Sequence, residues 1–175
     1  MLIDSQIWIY FIDPIAPENK NVSLYLEGSE ENGILFKEKI ILNPVIPMEV
    51  AHALFGNQRL DIKLTYEAIT ELFHFENVEI KEINQETLTE GLKILAKYRP
   101  RGIGGRDALL MSTMLKFNIK TIISNDKNLL SLKELRRINP VFSPPMILEV
   151  GEDFNESNYE NRLVKEYQQE KKPNR

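Results

Sequence analysis

The stretch that decides the fold is MLIDSQIWIYFIDP, residues 1–14. Met1, Leu2 and Ile3 read as a short buried strand, and Gln6 to Ile12 as a mostly apolar helix. Between them stands Asp4, a charge with apolar neighbours on both sides, whose burial costs free energy unless it is paired. A strand that runs directly into a helix opens an alternating α/β pattern. In such folds ligands bind beyond the carboxyl ends of the strands, which is where Asp4 falls.

The rest of the chain repeats that alternation. A polar helix is predicted from about Glu18 to Leu26, ended by EGSEENG (27–33). KIILNPVI (39–46) is a β-branched run typical of a buried strand, and Pro47 suits the first turn of the helix that follows as far as Gly56. A helix at 64–75 precedes VEIKEI (78–83), which alternates as a half-buried strand does. Residues 84–98 carry Leu88, Leu92 and Leu95 at helical spacing, with acids first and bases last, as the helix dipole favours. After the loop RPRGIGG come an apolar helix at 106–117 and a strand at 120–124. Lys127–Arg137 then reads as helical, and Val141–Phe142 as a last strand. Strands alternating with helices predict a three-layer α/β/α fold, with a mainly parallel central sheet of four to five strands. The composition turns polar near Gly151, so the expected organisation is one domain at 1–150 followed by a charged tail or solvated helix at 151–175.

Composition narrows the class. A chain of 175 residues with 42% hydrophobic and 27% charged residues is an ordinary globular protein and not a disordered one. Its apolar runs are far shorter than the ~20 residues of a membrane span, and the N-terminus lacks a secretory pattern. With no cysteine, disulfides and thiolate metal sites are excluded, and a cytoplasmic location is expected. The net charge of −4 argues against a broadly basic nucleic-acid surface, although acids gathered around a metal can coexist with a local basic rim.

Four acids share the ligand-binding edge of this predicted sheet. Asp4 ends the first strand, Glu49 lies in the first turn after strand 39–46, and Asp126 follows strand 120–124 by two residues. Asp107 opens the helix after GIGG. Each alone has an ordinary explanation, since acids are favoured in first helical turns and at caps. All four on one edge are harder to explain that way. Converged carboxylates repel and take up protons unless a cation neutralises them. Oxygen-only ligands suit Mg²⁺ or Mn²⁺ better than zinc, and the matching chemistry is phosphoryl transfer.

With these residues in place, LIDSQIWI, PMEVAHAL, GGRDALLMSTML and TIISNDKNL together resemble the signature segments of PIN-domain nucleases, particularly the small VapC-type toxins. The resemblance runs through most of residues 1–142. It implies a Mg²⁺- or Mn²⁺-dependent endoribonuclease acting on RNA, often homodimeric and frequently inhibited by a small antitoxin protein. Carried over, the catalytic and metal-binding acids are Asp4, Glu49, Asp107 and Asp126, supported by the hydroxyls of Ser5 and Ser124. The chain departs from the pattern where Asn128 replaces a further acid and Leu129 an aromatic residue.

Other features have plainer readings. Arg101 and Arg106 flank the glycines of RPRGIGGRD and could hold RNA phosphates, with Arg106 favoured as the neighbour of Asp107. His52, three residues beyond Glu49, is expected to be a buried or interface residue, and Trp8, Tyr10 and Phe11 core or interface residues. Ser5 lacks the flanking glycines of a nucleophile elbow. Two alternatives to a nuclease remain: a non-catalytic module of the same fold that binds RNA or protein, and a phosphotransfer receiver, whose acids are distributed differently.

Overall fold

Leu2 and Ile3 are completely buried, and everything else is arranged around them. The computed structural model describes residues 1–29, 32–57 and 60–170; part of the EGSEENG break and the last five residues of the predicted tail lie outside that range. The chain runs β1 (Leu2–Ile3), α1 (Ser5–Ile12), α2 (Asn19–Leu26), α3 (Ile34–Lys37), β2 (Ile40–Leu42), α4 (Val45–Phe55) and α5 (Ile62–Glu71). It continues with β3 (Val78–Ile80), α6 (Gln85–Tyr98), α7 (Gly105–Lys116), β4 (Thr121–Ile123), α8 (Lys127–Leu130), β5 (Arg136–Asn139), β6 (Met146–Leu148) and α9 (Glu156–Glu170).

The strands form one sheet in the order β3-β2-β1-β4-β5-β6. Leu2 is in register with Ile41 on one side and Ile122 on the other, both parallel. β5 is parallel to β4, and only β6 runs against its neighbour. From β1 the chain moves outward through β2 and β3, then lays β4 on the opposite side of β1. The strand order therefore reverses between β1 and β4, the position where open α/β sheets form a ligand crevice. Helices complete the three-layer α/β/α arrangement: α1 packs on α2 and α4, α4 on α5, and α6 along α7.

Among the described residues the sheet has six strands, not four to five. The extra strands come from the region read as helix to Arg137 and as a strand at Val141–Phe142. α8 ends at Leu130, and Arg136–Asn139 continues as β5. Arg137 is fully buried there because its guanidinium donates to the carbonyls of Leu130, Glu149 and Glu152, at 2.7, 2.8 and 2.8 Å. A buried charge held at its two terminal nitrogens by backbone carbonyls looks, in sequence, like one on a solvated helix. Phe142 lies in the following turn, packed edge-on against Tyr159 of α9 at 5.6 Å between ring centroids. The polar tail thus contains a helix anchored by a buried tyrosine.

Two smaller shifts matter. α4 begins at Val45, ahead of Pro47, because the buried Asn43 accepts the Val45 N–H on its side-chain oxygen at 2.8 Å. Glu49 is therefore in the second turn of α4, not the first. In α6 the leucine stripe that marks the helix coincides with the buried face only at Leu95, which packs against the core. Leu88 and Leu92 are 47% and 68% exposed, whereas Thr87, Gly91, Ile94 and Tyr98 face inward. Gly91 lets α7 come close: a Cβ there would lie 3.2 Å from Leu109 Cδ2 and 3.5 Å from Ser112 Oγ. Replacing Ile94 by alanine should cost about 2–4 kcal/mol in urea unfolding, while Leu92→Ala should change stability by no more than about 0.5 kcal/mol. Equal losses would contradict this assignment of the buried face.

Candidate active site

Asp4 remains attached to the sheet beyond the end of β1, its N–H donating to the Ile123 carbonyl at 2.9 Å. Its side chain is only 7% exposed, and Oδ2 accepts from the Ser124 hydroxyl at 2.7 Å. Ser5 Oγ stands at 3.4 Å from Oδ1. Ser124, itself fully buried, accepts the Asp126 N–H on the same hydroxyl oxygen at 2.9 Å. One serine at the end of β4 thereby ties Asp4 to Asp126 across the switch point. Burial pushes the Asp4 carboxyl up to about 6; the Ser124 bond opposes this, and the charges of Asp107 and Asp126 add to it.

Asp107 enters from α7. Its Oδ2 accepts the Gly104 N–H at 2.8 Å, closing the first turn of the helix. Burial raises its proton affinity above the usual carboxylate range; the Gly104 N–H and Arg106 oppose that rise, while Asp126 and Glu49 reinforce it. Asp126 caps α8 through Oδ1, which accepts from the Asn128 and Leu129 N–H groups at 2.6 and 3.3 Å. Glu49 stands on the outer side, its side chain 13% exposed, and meets Arg106 Nη1 at 2.5 Å in an ion pair not aligned as a hydrogen bond. Arg106 is itself 75% exposed along its side chain. A cleft of about 460 Å³ opens there, lined in part by Ser5, Met48, Glu49, His52 and Arg106. His52 is exposed in this cleft, not buried.

The supporting residues divide. Asn128 packs its carboxamide onto the loop before α7, where a Cβ at Gly102 (φ +85°) would lie 2.7 Å from Asn128 Oδ1. Arg101 turns away from the acids: it donates to the Ser131 carbonyl at 2.8 Å and pairs with Glu134 at 3.7 Å. Reading the sequence did not single out Asn43 or Asn125. Asn43, at the carboxyl end of β2, starts the helix that carries Glu49. Its signal was the Asn-Pro turn after an apolar strand.

Among the described residues no three acids form a ready-made metal cage. The donor set nonetheless suits a hard cation. Mg²⁺ keeps several waters and is held by one or two carboxylates. Asp107 and Asp126 each use one oxygen in the hydrogen bonds described and leave the other without a protein donor among the described residues. The charges of Asp107 and Asp126 raise the proton affinity of Asp4, and that of Asp126 raises the proton affinity of Asp107, so a divalent cation bound there would replace protons.

The fold has solved counterparts. A chain of VapBC2 from Rickettsia felis, crystallised bound to a DNA fragment from their promoter, superposes with a TM-score of 0.56 at 15% identity, covering 79% of this chain and 96% of that one. No curated protein matches the chain at a significant level. The family model of the PIN domain matches residues 1–135. By that match, over most of its length, the chain belongs to the PIN domain family.

Proposed function

We propose that this protein is a divalent-metal-dependent endoribonuclease, with Asp4, Asp107 and Asp126 at its centre and Glu49 beside them. PIN domains are generally nucleases. The observation that carries the reading here is the convergence at the switch point: Ser124 ties the buried Asp4 to Asp126, and the charges of Asp107 and Asp126 both act on the Asp4 carboxyl. Asp4, Asp107 and Asp126 would hold Mg²⁺ or Mn²⁺. When bound, such a cation neutralises phosphate charge and acidifies a water for in-line attack.

The residues of the chain do the positioning. Ser124 fixes the Asp4 carboxylate, and Asp126 is held by the helix it caps. Glu49 lies where it can orient a water or an outer ligand, and the exposed guanidinium of Arg106 can leave it to meet an RNA phosphate. The motif resemblance implies a toxin held by a small antitoxin and assembled as a homodimer, and the VapBC2 likeness is consistent with the fold that this reading needs. Absence of cysteine fits the reducing cytoplasm, where RNA is available. The PIN fold used only for binding is the second reading, favoured by Asn128 standing where the family pattern has an acid.

Asp4→Asn and Asp107→Asn should each lower Mn²⁺-dependent RNA cleavage by about 10²-fold or more, beyond the usual loss for an outer-shell partner, with circular dichroism unchanged. Cleavage at the parent rate by both variants would remove the site. Calorimetric Mn²⁺ binding without cleavage of any RNA would favour the binding module.

The Asp4 carboxyl titrates at about 6 when folded and near the usual 3.8 when unfolded, so the folded state binds more protons between those values. Stability of the metal-free protein therefore falls as pH rises from about 4 to 6, and roughly 3 kcal/mol stays lost above that. In chelator, Asp4→Asn should be more stable than the parent at pH 7.5 and show little of that gain at pH 4. A gain independent of pH would mean that Asp4 does not carry the buried charge.

A further inference from the structure

The PIN match ends at residue 135, and α9 lies wholly beyond it. That helix nevertheless touches the site. Tyr159 is 3% exposed, wedged edge-on between Phe142 and Phe154 at 5.6 and 5.5 Å. Its hydroxyl donates to Asn125 Oδ1 at 2.6 Å. Asn125 sits between Ser124, which holds Asp4, and Asp126. Its carboxamide is a junction: Oδ1 also accepts from Asn139 of β5 at 2.8 Å, and Nδ2 donates to the Tyr10 hydroxyl of α1 at 3.4 Å.

We propose that Tyr159 is a positioning residue for the active site, holding the 124–126 segment through Asn125 and so fixing Asp126 relative to Asp4. The proposal rests on the reading of those acids as the active site. Three observations separate this bond from mere packing. The aromatic ring alone fills the space between Phe142 and Phe154, so the hydroxyl is not needed for the core. A buried hydroxyl leaves a cost unless it finds an acceptor, and the acceptor here belongs to the residue between two site residues. The ion pairs of α9 with the residue next to this segment, Lys127 Nζ to Glu156 and Glu160 at 2.8 Å each, are solvent-exposed and contribute little orientation. Tyr159 supplies the buried, directional link.

Tyr159→Phe tests this, because it keeps the ring and removes only the donor. In the metal-free protein, amide hydrogen exchange at Asp126, Asn128 and Leu129 should speed up about fivefold, the factor that one net hydrogen bond gives. Exchange in β1 and β2 should not change. Mn²⁺ affinity, measured by calorimetry, should fall about tenfold, as for residues that orient a metal ligand. Tyr167→Phe is the control: it removes a hydroxyl on the same helix that donates to Glu18 Oε1 at 2.7 Å, away from the segment, and should leave both readouts unchanged. Parent-like exchange and affinity in Tyr159→Phe would overturn the proposal while leaving the active site in place. Equal losses in Tyr167→Phe would also overturn it, by making helix docking the cause. A parent that neither binds Mn²⁺ nor cleaves RNA would remove the active-site reading, and the proposal with it.

Discussion

The hydrogen bond from Ser124 to Asp4 is the contact on which the arrangement at the sheet edge depends. It joins the ends of the two strands between which the topology reverses, and it holds a carboxylate where water is almost excluded. Leu2, Ile3, Ile122 and Ile123, all fully buried, make that exclusion possible. The same apolar frame that keeps Asp4 in place makes its charge expensive. The serine hydroxyl donates to Asp4 and accepts from the Asp126 backbone, so one side chain sets two of the acids at once.

Structural and functional readings of the same acids turn out not to compete. Asp107 and Asp126 close or cap the first turns of α7 and α8, the ordinary work of an acid at a helix start. Each does so with one oxygen, which fixes the rotamer and aims the other oxygen. A cap is therefore also a way of holding a carboxylate still. Glu49 lacks such a cap and depends instead on where α4 begins, which Asn43 decides from the end of the strand before it.

How much of this could be read from residues alone follows from the range of the forces involved. β1, the Asp4 junction and the acids at helix starts are local: apolar runs, turn residues and first-turn charges declare them within a few positions. The parallel sheet followed from alternation. Arg137 could not be read, because its burial depends on three carbonyls supplied by other parts of the chain. The buried face of α6 was hidden for a related reason: the leucines announce a helix, but Gly91, which the stripe ignores, decides which side meets α7. Asn125 is legible only once Tyr159, Asn139 and Tyr10 are seen around it.

The parallel pairing of β1 with β4 has a kinetic consequence. Asp4 and Ser124 are separated by 120 positions, so their contact closes a very long loop. Closure of such a loop carries its entropic cost before the pairing repays it, which places the contact late in folding. The helices and their caps can form earlier from nearby residues, with Asp107 and Asp126 already aimed and Asp4 still elsewhere. A partly folded molecule then has every acid but no acidic centre, and the centre arises only when the middle of the sheet does.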